Sequence, residues 1–126
     1  RMSQTGSVAD EWIPLRPGTE GLVALALGRL VAEARGRALP KAFASVNAEA
    51  AAKKADVSLE TLQALAEEFA KAGSPLAIVG GPALAHSNGV ETAKAVYALN
   101  AASDGSPASS AAAARNSLLT AVMSSA

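Results

Sequence analysis

Ser74-Pro75-Leu76-Ala77-Ile78-Val79-Gly80-Gly81-Pro82 is the stretch on which the fold class turns. Its centre, residues 76–80, is apolar without alternation, short, and closed off by proline and glycine. A continuous apolar run of this length fits a strand buried on both faces, as parallel sheets require. The residues before it carry a helical pattern. Leu59, Leu62, Leu65, Ala66 and Phe69 share one stripe, with Glu67, Glu68 and Lys71 opposite. Ser58 is the expected N-cap, with Asp56 just before it, Glu60 favours the first turn, Gly73 is expected to close the helix, and Pro75 stops it. After the run, a glycine loop leads through His86-Ser87-Asn88-Gly89 into a third helix expected over about 90–100. Val90, Ala93, Val96, Tyr97 and Leu99 are its expected core face. Helix, strand, glycine loop, helix is the order of α/β folds. Ligands in such sheets bind beyond the carboxyl ends of the strands, where Gly80-Gly81-Pro82 falls.

Upstream, Asp10-Glu11-Trp12-Ile13-Pro14-Leu15-Arg16-Pro17-Gly18-Thr19-Glu20 is an extended approach that turns and opens a helix. Ile13 and Arg16 each precede a proline and are pushed to extended geometry. Pro17-Gly18 marks a turn, and Thr19 is a suitable N-cap. The first helix is expected over about 20–34, with Val23, Leu27, Leu30, Val31 and Ala34 as a stripe. Leu22 and Leu25 make its first half apolar nearly all round. Arg29 with Glu33, and Glu33 with Arg37, are spaced as i,i+4 pairs. Gly36 is the expected stop. Gly28 weakens the helix by about 1 kcal/mol relative to alanine and therefore reads as a site of close packing. First-turn amides, the Arg16 cation and the Glu20 carboxylate together make a small polar socket at a helix N-terminus. A turn held by a surface Arg16–Glu20 pair is the plainer reading of the same residues.

Two motifs carry a family resemblance. Ala9-Asp10, Trp12-Ile13-Pro14 and Arg16-Pro17-Gly18-Thr19-Glu20-Gly21 resemble a signature of the molybdopterin oxidoreductase (dimethyl-sulfoxide-reductase-like) superfamily. Gly80, Gly81, His86, Asn88, Gly89, Leu99 and Asn100 are similar to a second element of the same domain. The spellings at Thr5-Gly6 and Glu20 are most similar to the molybdopterin-like large subunit of alternative complex III. The resemblance implies a partial Rossmann-like parallel sheet flanked by helices over residues 1–101. It also implies one guanine dinucleotide end of a molybdopterin cofactor near Thr5, Arg16, Gly18, Thr19, Glu20, Gly80, Gly81, His86 and Asn88, with Glu20 on the guanine. It further implies partner subunits in a membrane-associated, quinol-oxidising electron-transfer complex with iron–sulfur clusters elsewhere, peripheral to a bacterial membrane on its periplasmic side. In that reading the chain is a scaffold without catalytic residues of its own, which has kept the fold and lost the molybdenum cofactor, the dinucleotide being a possible ligand only. A catalytic molybdenum subunit and a small interaction domain with no redox role are the alternatives. After Ala101 the resemblance stops. Residues 102–113 read as low-complexity loop and 114–123 as a short helix through Leu118, Leu119 and Val122. The abrupt start at Arg1, which reads as the exit from a strand, makes a fragment of a larger subunit the expectation.

Composition narrows the field. The chain has 126 residues, half of them apolar but 3% aromatic, so small side chains must make the core. Net charge is zero, without the basic footprint of a nucleic-acid binder. The absence of cysteine removes disulfides, Cys-ligated zinc and iron–sulfur ligation from this chain. No apolar run approaches the roughly 20 residues that span a bilayer. His86 is the single histidine, so a metal site would rest on scattered carboxylates. The glycines lack the Gly-Lys-Ser/Thr of a phosphate-binding P-loop, and no Gly-x-Ser-x-Gly elbow supports a hydrolase triad.

Overall fold

A computed structural model describes residues 4–104 and 121–125. The elements run α1 (Gln4–Ser7), β1 (Glu11–Leu15), α2 (Glu20–Ala34), α3 (Lys41–Ala44), α4 (Ala48–Ala55), α5 (Leu59–Lys71), α6 (Pro82–Ala85), α7 (Gly89–Asp104) and β2 (Ala121–Ser125). The chain is built around α2, whose Val23, Ala24, Ala26, Leu27, Gly28, Val31 and Ala32 are all buried. Its apolar circumference lets it serve three contacts at once. Val23, Leu27 and Val31 meet Leu62, Leu65, Ala66 and Phe69 of α5 in the main core. Ala24 meets Ala95 and Val96 of α7. Ala26 meets Val46 and Ala51 beside α4. With so few aromatic residues, such contacts depend on small side chains. Gly28 lies against the fully buried ring of Phe43, where an added Cβ would come within 2.6 Å of two ring carbons.

Helix ends follow local chemistry. The Asn47 side chain accepts from the Ala50 amide at 3.0 Å, and Ser58 Oγ accepts from Thr61 N at 3.0 Å. Gly36, at φ +62°, ends α2, with the Arg37 amide bonded to Ala32 O at 2.9 Å. Asp56 fills the corresponding left-handed position after α4 at φ 64°. Gly73 does not stop α5 in this way: Ala72 is already extended (φ −64°, ψ 135°), and Gly73 is not among the positive-φ glycines. The guanidinium of Arg35, at the end of α2, joins three helices. It donates to Phe69 O at 3.2 Å, to Ala72 O at 3.1 Å and to Ser103 O, so one cation meets the carbonyl ends of α5 and α7. Arg29 pairs with Glu33 at 2.9 Å, whereas Arg37 reaches Ala102 O at 3.4 Å.

β1 and β2 pair in parallel, with Ile13 opposite Met123. Ile13 and Leu15 point into the core, and Trp12 is half-buried on the other face. Residues 121–123, expected in a helix, are therefore strand; residues 105–120 lie outside the described residues.

Residues 76–80 depart from the expected buried strand. They form no strand and join no ladder among the described residues, and burial alternates. Ala77 and Val79 pack against Ala95 and Val96, while Leu76 is 37% and Ile78 78% exposed. The reason is local. The Asn100 side chain accepts from Ala77 N at 2.8 Å and donates to Ala77 O at 2.9 Å, occupying the edge where a neighbouring strand would bond. α7 also differs from its expected face and length. Val90 and Tyr97 are exposed, and Thr92, Ala95, Val96, Leu99, Ala102 and Ser103 are buried. α2 approaches too closely for the larger residues, so the small-residue stripe turns inward. The helix continues through the expected boundary at residue 101 to Asp104. Ahead of β1, residues 4–7 form α1, and the glycine loop contains α6.

Candidate functional site

The Pro17-Gly18 turn brings β1 to the start of α2. Gly18 takes φ +82°, which glycine adopts without a Cβ penalty, and Thr19 N donates to Arg16 O at 3.2 Å. Arg16 N donates to Ala55 O at 3.0 Å and fixes the turn against α4. Thr19 stands at the N-cap position, but its hydroxyl donates back to Arg16 O at 2.6 Å and caps no helix amide. The cap is spent on holding the turn.

The second glycine loop meets this turn directly. Asn88 Nδ2 donates to Gly18 O at 2.9 Å across 70 residues of sequence. The Asn88 carbonyl then accepts from Thr92 N at 2.9 Å and from Thr92 Oγ1 at 3.1 Å, starting α7. Behind the bond, Gly21 lies against Thr92: a Cβ there would stand 2.9 Å from Thr92 Oγ1 and 3.0 Å from its Cα. The N-terminal turns of α2 and α7 thus converge as closely as backbone allows. Gly21 and Thr92 were not among the expected site residues, although Gly21 belongs to the first motif and its spacing could have singled it out.

Glu20 lies at this convergence. It is 4% exposed, and neither carboxylate oxygen has a hydrogen-bond partner among the described residues. Arg16 is exposed and does not pair with it, so the surface ion-pair reading fails. Buried polar atoms are normally satisfied, and an orphaned one costs about 1–3 kcal/mol. Trp12 Nε1 is likewise buried without a partner among the described residues. The remaining expected site residues are more open. Gly80, Gly81 and His86 are exposed, and no atom lies within 4 Å of a Cβ built on either glycine. Thr5 falls in α1. Asn88 and the Gly18 turn that leads into Glu20 are therefore brought together, while Gly80, Gly81 and His86 are solvent-exposed. No group of three or more metal-ligating His, Cys, Asp or Glu residues occurs among the described residues. No described helix is long and apolar enough to cross a membrane.

A buried carboxylate without a partner among the described residues, one residue past the Gly18–Thr19 turn, is an acceptor for N–H donors. Comparison with known proteins bears on the kind of protein that carries it. Over part of the chain, the similarity supports a molybdopterin-oxidoreductase-like relationship. The similar protein is the menaquinone reductase, molybdopterin-binding-like subunit of Nitratidesulfovibrio vulgaris, 38% identical over 86 residues. Those residues make up 63% of this chain and 12% of that subunit, so the chain corresponds to a small part of its relative. The match does not single out alternative complex III. No family model and no solved structure matches the chain.

Proposed function

We propose that this chain is a nucleotide-domain-like module of a molybdopterin-oxidoreductase-like subunit in a quinone-linked, membrane-associated electron-transfer complex. Its own task is binding and scaffolding: Glu20 accepts the N–H donors of a guanine base, and the rest of the module packs against other parts of the assembly. The observation that carries this reading is the buried Glu20 carboxylate, whose oxygens have no partner among the described residues while Asn88 and Thr19 are already engaged. A guanine edge offers two adjacent N–H donors, and a carboxylate offers two acceptors at matching separation. The residues present fit that end of a molybdopterin guanine dinucleotide. When bound, the cofactor supplies the redox chemistry at its metal end, beyond the reach of these residues. Arg16, exposed at the same turn, supplies a cation for the adjoining phosphates. An α/β parallel sheet completed by further polypeptide, and attachment at the periplasmic face of a bacterial membrane without insertion of this chain, belong to the same proposal.

A second reading is a scaffold that has lost the nucleotide. The openness of Gly80, Gly81 and His86 favours it, because a retained dinucleotide site normally encloses its ligand. Acid release of nucleotide, with metal analysis, from the natively purified assembly separates the two. Stoichiometric guanine nucleotide that falls severalfold with Glu20→Gln supports base recognition. Its absence from an intact assembly leaves the scaffold role alone, and an assembly that lacks this chain overturns both.

A further inference from the structure

We propose that Asn88 is a site of spontaneous deamidation, held unreactive while the second glycine loop is tied to the Pro17-Gly18 turn and released when that tie opens. Asparagine followed by glycine is a chemically labile pairing. Glycine places no side chain between its own main-chain nitrogen and the asparagine Cγ. Of the four asparagines only Asn88 is so placed; Asn47, Asn100 and Asn116 precede Ala48, Ala101 and Ser117. Asn88 is exposed, so water reaches it.

The folded contacts account for both the pairing and its protection. Asn88 Nδ2 donates to Gly18 O at 2.9 Å, the one side-chain hydrogen bond between loop and turn among the described residues. Gly89 is buried, and a Cβ on it would collide with the main chain of Leu84 in α6. Local packing thus calls for an amide at 88 and for glycine at 89. Gly89 N donates to His86 O at 2.9 Å, while Asn88 O accepts from Thr92 N at 2.9 Å and from Thr92 Oγ1 at 3.1 Å. Nucleophile, leaving amide and main-chain carbonyl are all engaged. Turning the side chain back onto Gly89 N breaks the Gly18 bond, so reaction proceeds through local opening.

Once open, the chemistry needs only water. Gly89 N bonds to Asn88 Cγ, the Cγ–Nδ2 bond breaks, and Nδ2 leaves as ammonia with the proton that Gly89 N gives up. Water then opens the succinimide at either carbonyl. Attack at Cγ leaves aspartate on an unaltered main chain; attack at the main-chain carbon leaves isoaspartate, with the chain running through Cβ and Cγ. Nothing is oxidised or reduced. Neither product keeps the Nδ2 donor, and aspartate sets a carboxylate against the Gly18 carbonyl, acceptor facing acceptor. The opening becomes permanent. The inference rests on the loop contact and not on the nucleotide, so base binding at Glu20 and deamidation at Asn88 fail separately.

The test keeps the whole chain in mildly alkaline buffer, folded or in urea, and follows acid formed at each asparagine by peptide mass spectrometry. Asn88 is expected to convert in both, about 10- to 100-fold more slowly when folded, with Asn47 and Asn100 far behind. In the folded, converted chain, NMR shifts are expected at Gly18 and Thr19 while α5 amides stay in place. Asn88→Asp should show the same shifts from the start; should it fail to fold, the converted chain carries the readout. Equal rates folded and in urea overturn the proposal. So does absence of conversion in the folded chain over roughly a hundred unfolded half-lives, equal conversion at Asn47 and Asn100, or a converted chain whose Gly18 and Thr19 signals do not move.

Discussion

Replacing Glu20 by methionine should make the free chain more stable, the opposite of what most core substitutions do. Glu20 is 4% exposed, and both of its carboxylate oxygens are buried without partners among the described residues. An unsatisfied buried polar group costs about 1–3 kcal/mol, and methionine fills similar volume with a flexible apolar side chain. Glu20→Met should therefore raise the free energy of unfolding by about 1–3 kcal/mol. Glu20→Gln keeps two unsatisfied polar ends and should change it by less than about 0.5 kcal/mol. Urea unfolding followed by circular dichroism gives both values, with an unchanged slope confirming that the same surface is buried. The contrast between the two substitutions is the decisive feature. If methionine destabilises by 1 kcal/mol or more while glutamine is neutral, the carboxylate has a partner within the chain and is not held in reserve for a ligand.

Other substitutions test the frame that holds the site. Gly28→Ala gains about 1 kcal/mol of helix propensity but drives a Cβ to within 2.6 Å of the Phe43 ring, where overpacking costs about 1–3 kcal/mol. A net loss of up to about 2 kcal/mol is expected, turning into a gain when made in a Phe43→Leu background; a double-mutant cycle in urea reads both. Arg35→Met should lose about 2 kcal/mol by removing the donors shared by Phe69 O, Ala72 O and Ser103 O, and hydrogen exchange should show α5 and α7 fraying together. Asp56→Gly relieves a left-handed residue at φ 64° and should raise the thermal midpoint, a gain of about 0.5–1 kcal/mol.

Much of the helical frame was legible because its signals are local. α2 spans Glu20–Ala34 as its apolar pattern and Gly36 required, and α5 begins after Ser58 with the expected cap bond. The burial of Gly28 against Phe43 likewise follows from a glycine whose helix penalty had to be offset by packing. Two features were not legible because they depend on distant partners. The Asn100 amide that binds Ala77 lies 23 residues away, so nothing within residues 76–80 could reveal that one edge was already taken. The inward face of α7 was decided by how near α2 comes, which favoured Thr92 and Ala95 over Val90 and Tyr97. Thr19 was recognisable as an N-cap by type, but its hydroxyl serves the turn. Within the site, the meeting of the two glycine turns was expected from the motifs, whereas the burial of Glu20 without Arg16 reverses the simple pairing that their spacing suggested.

The most direct measurement of the central claim is an NMR titration of the chain with GMP, IMP and AMP. These ligands share ribose and phosphate and differ at the base edge that Glu20 would meet. Saturable shifts at Glu20, Gly21 and Asn88 with GMP, weaker with IMP, which lacks the exocyclic amine, and none with AMP are predicted, all lost in Glu20→Gln. Equal responses to the three nucleotides, or GMP shifts that persist in Glu20→Gln, would contradict base recognition by this carboxylate.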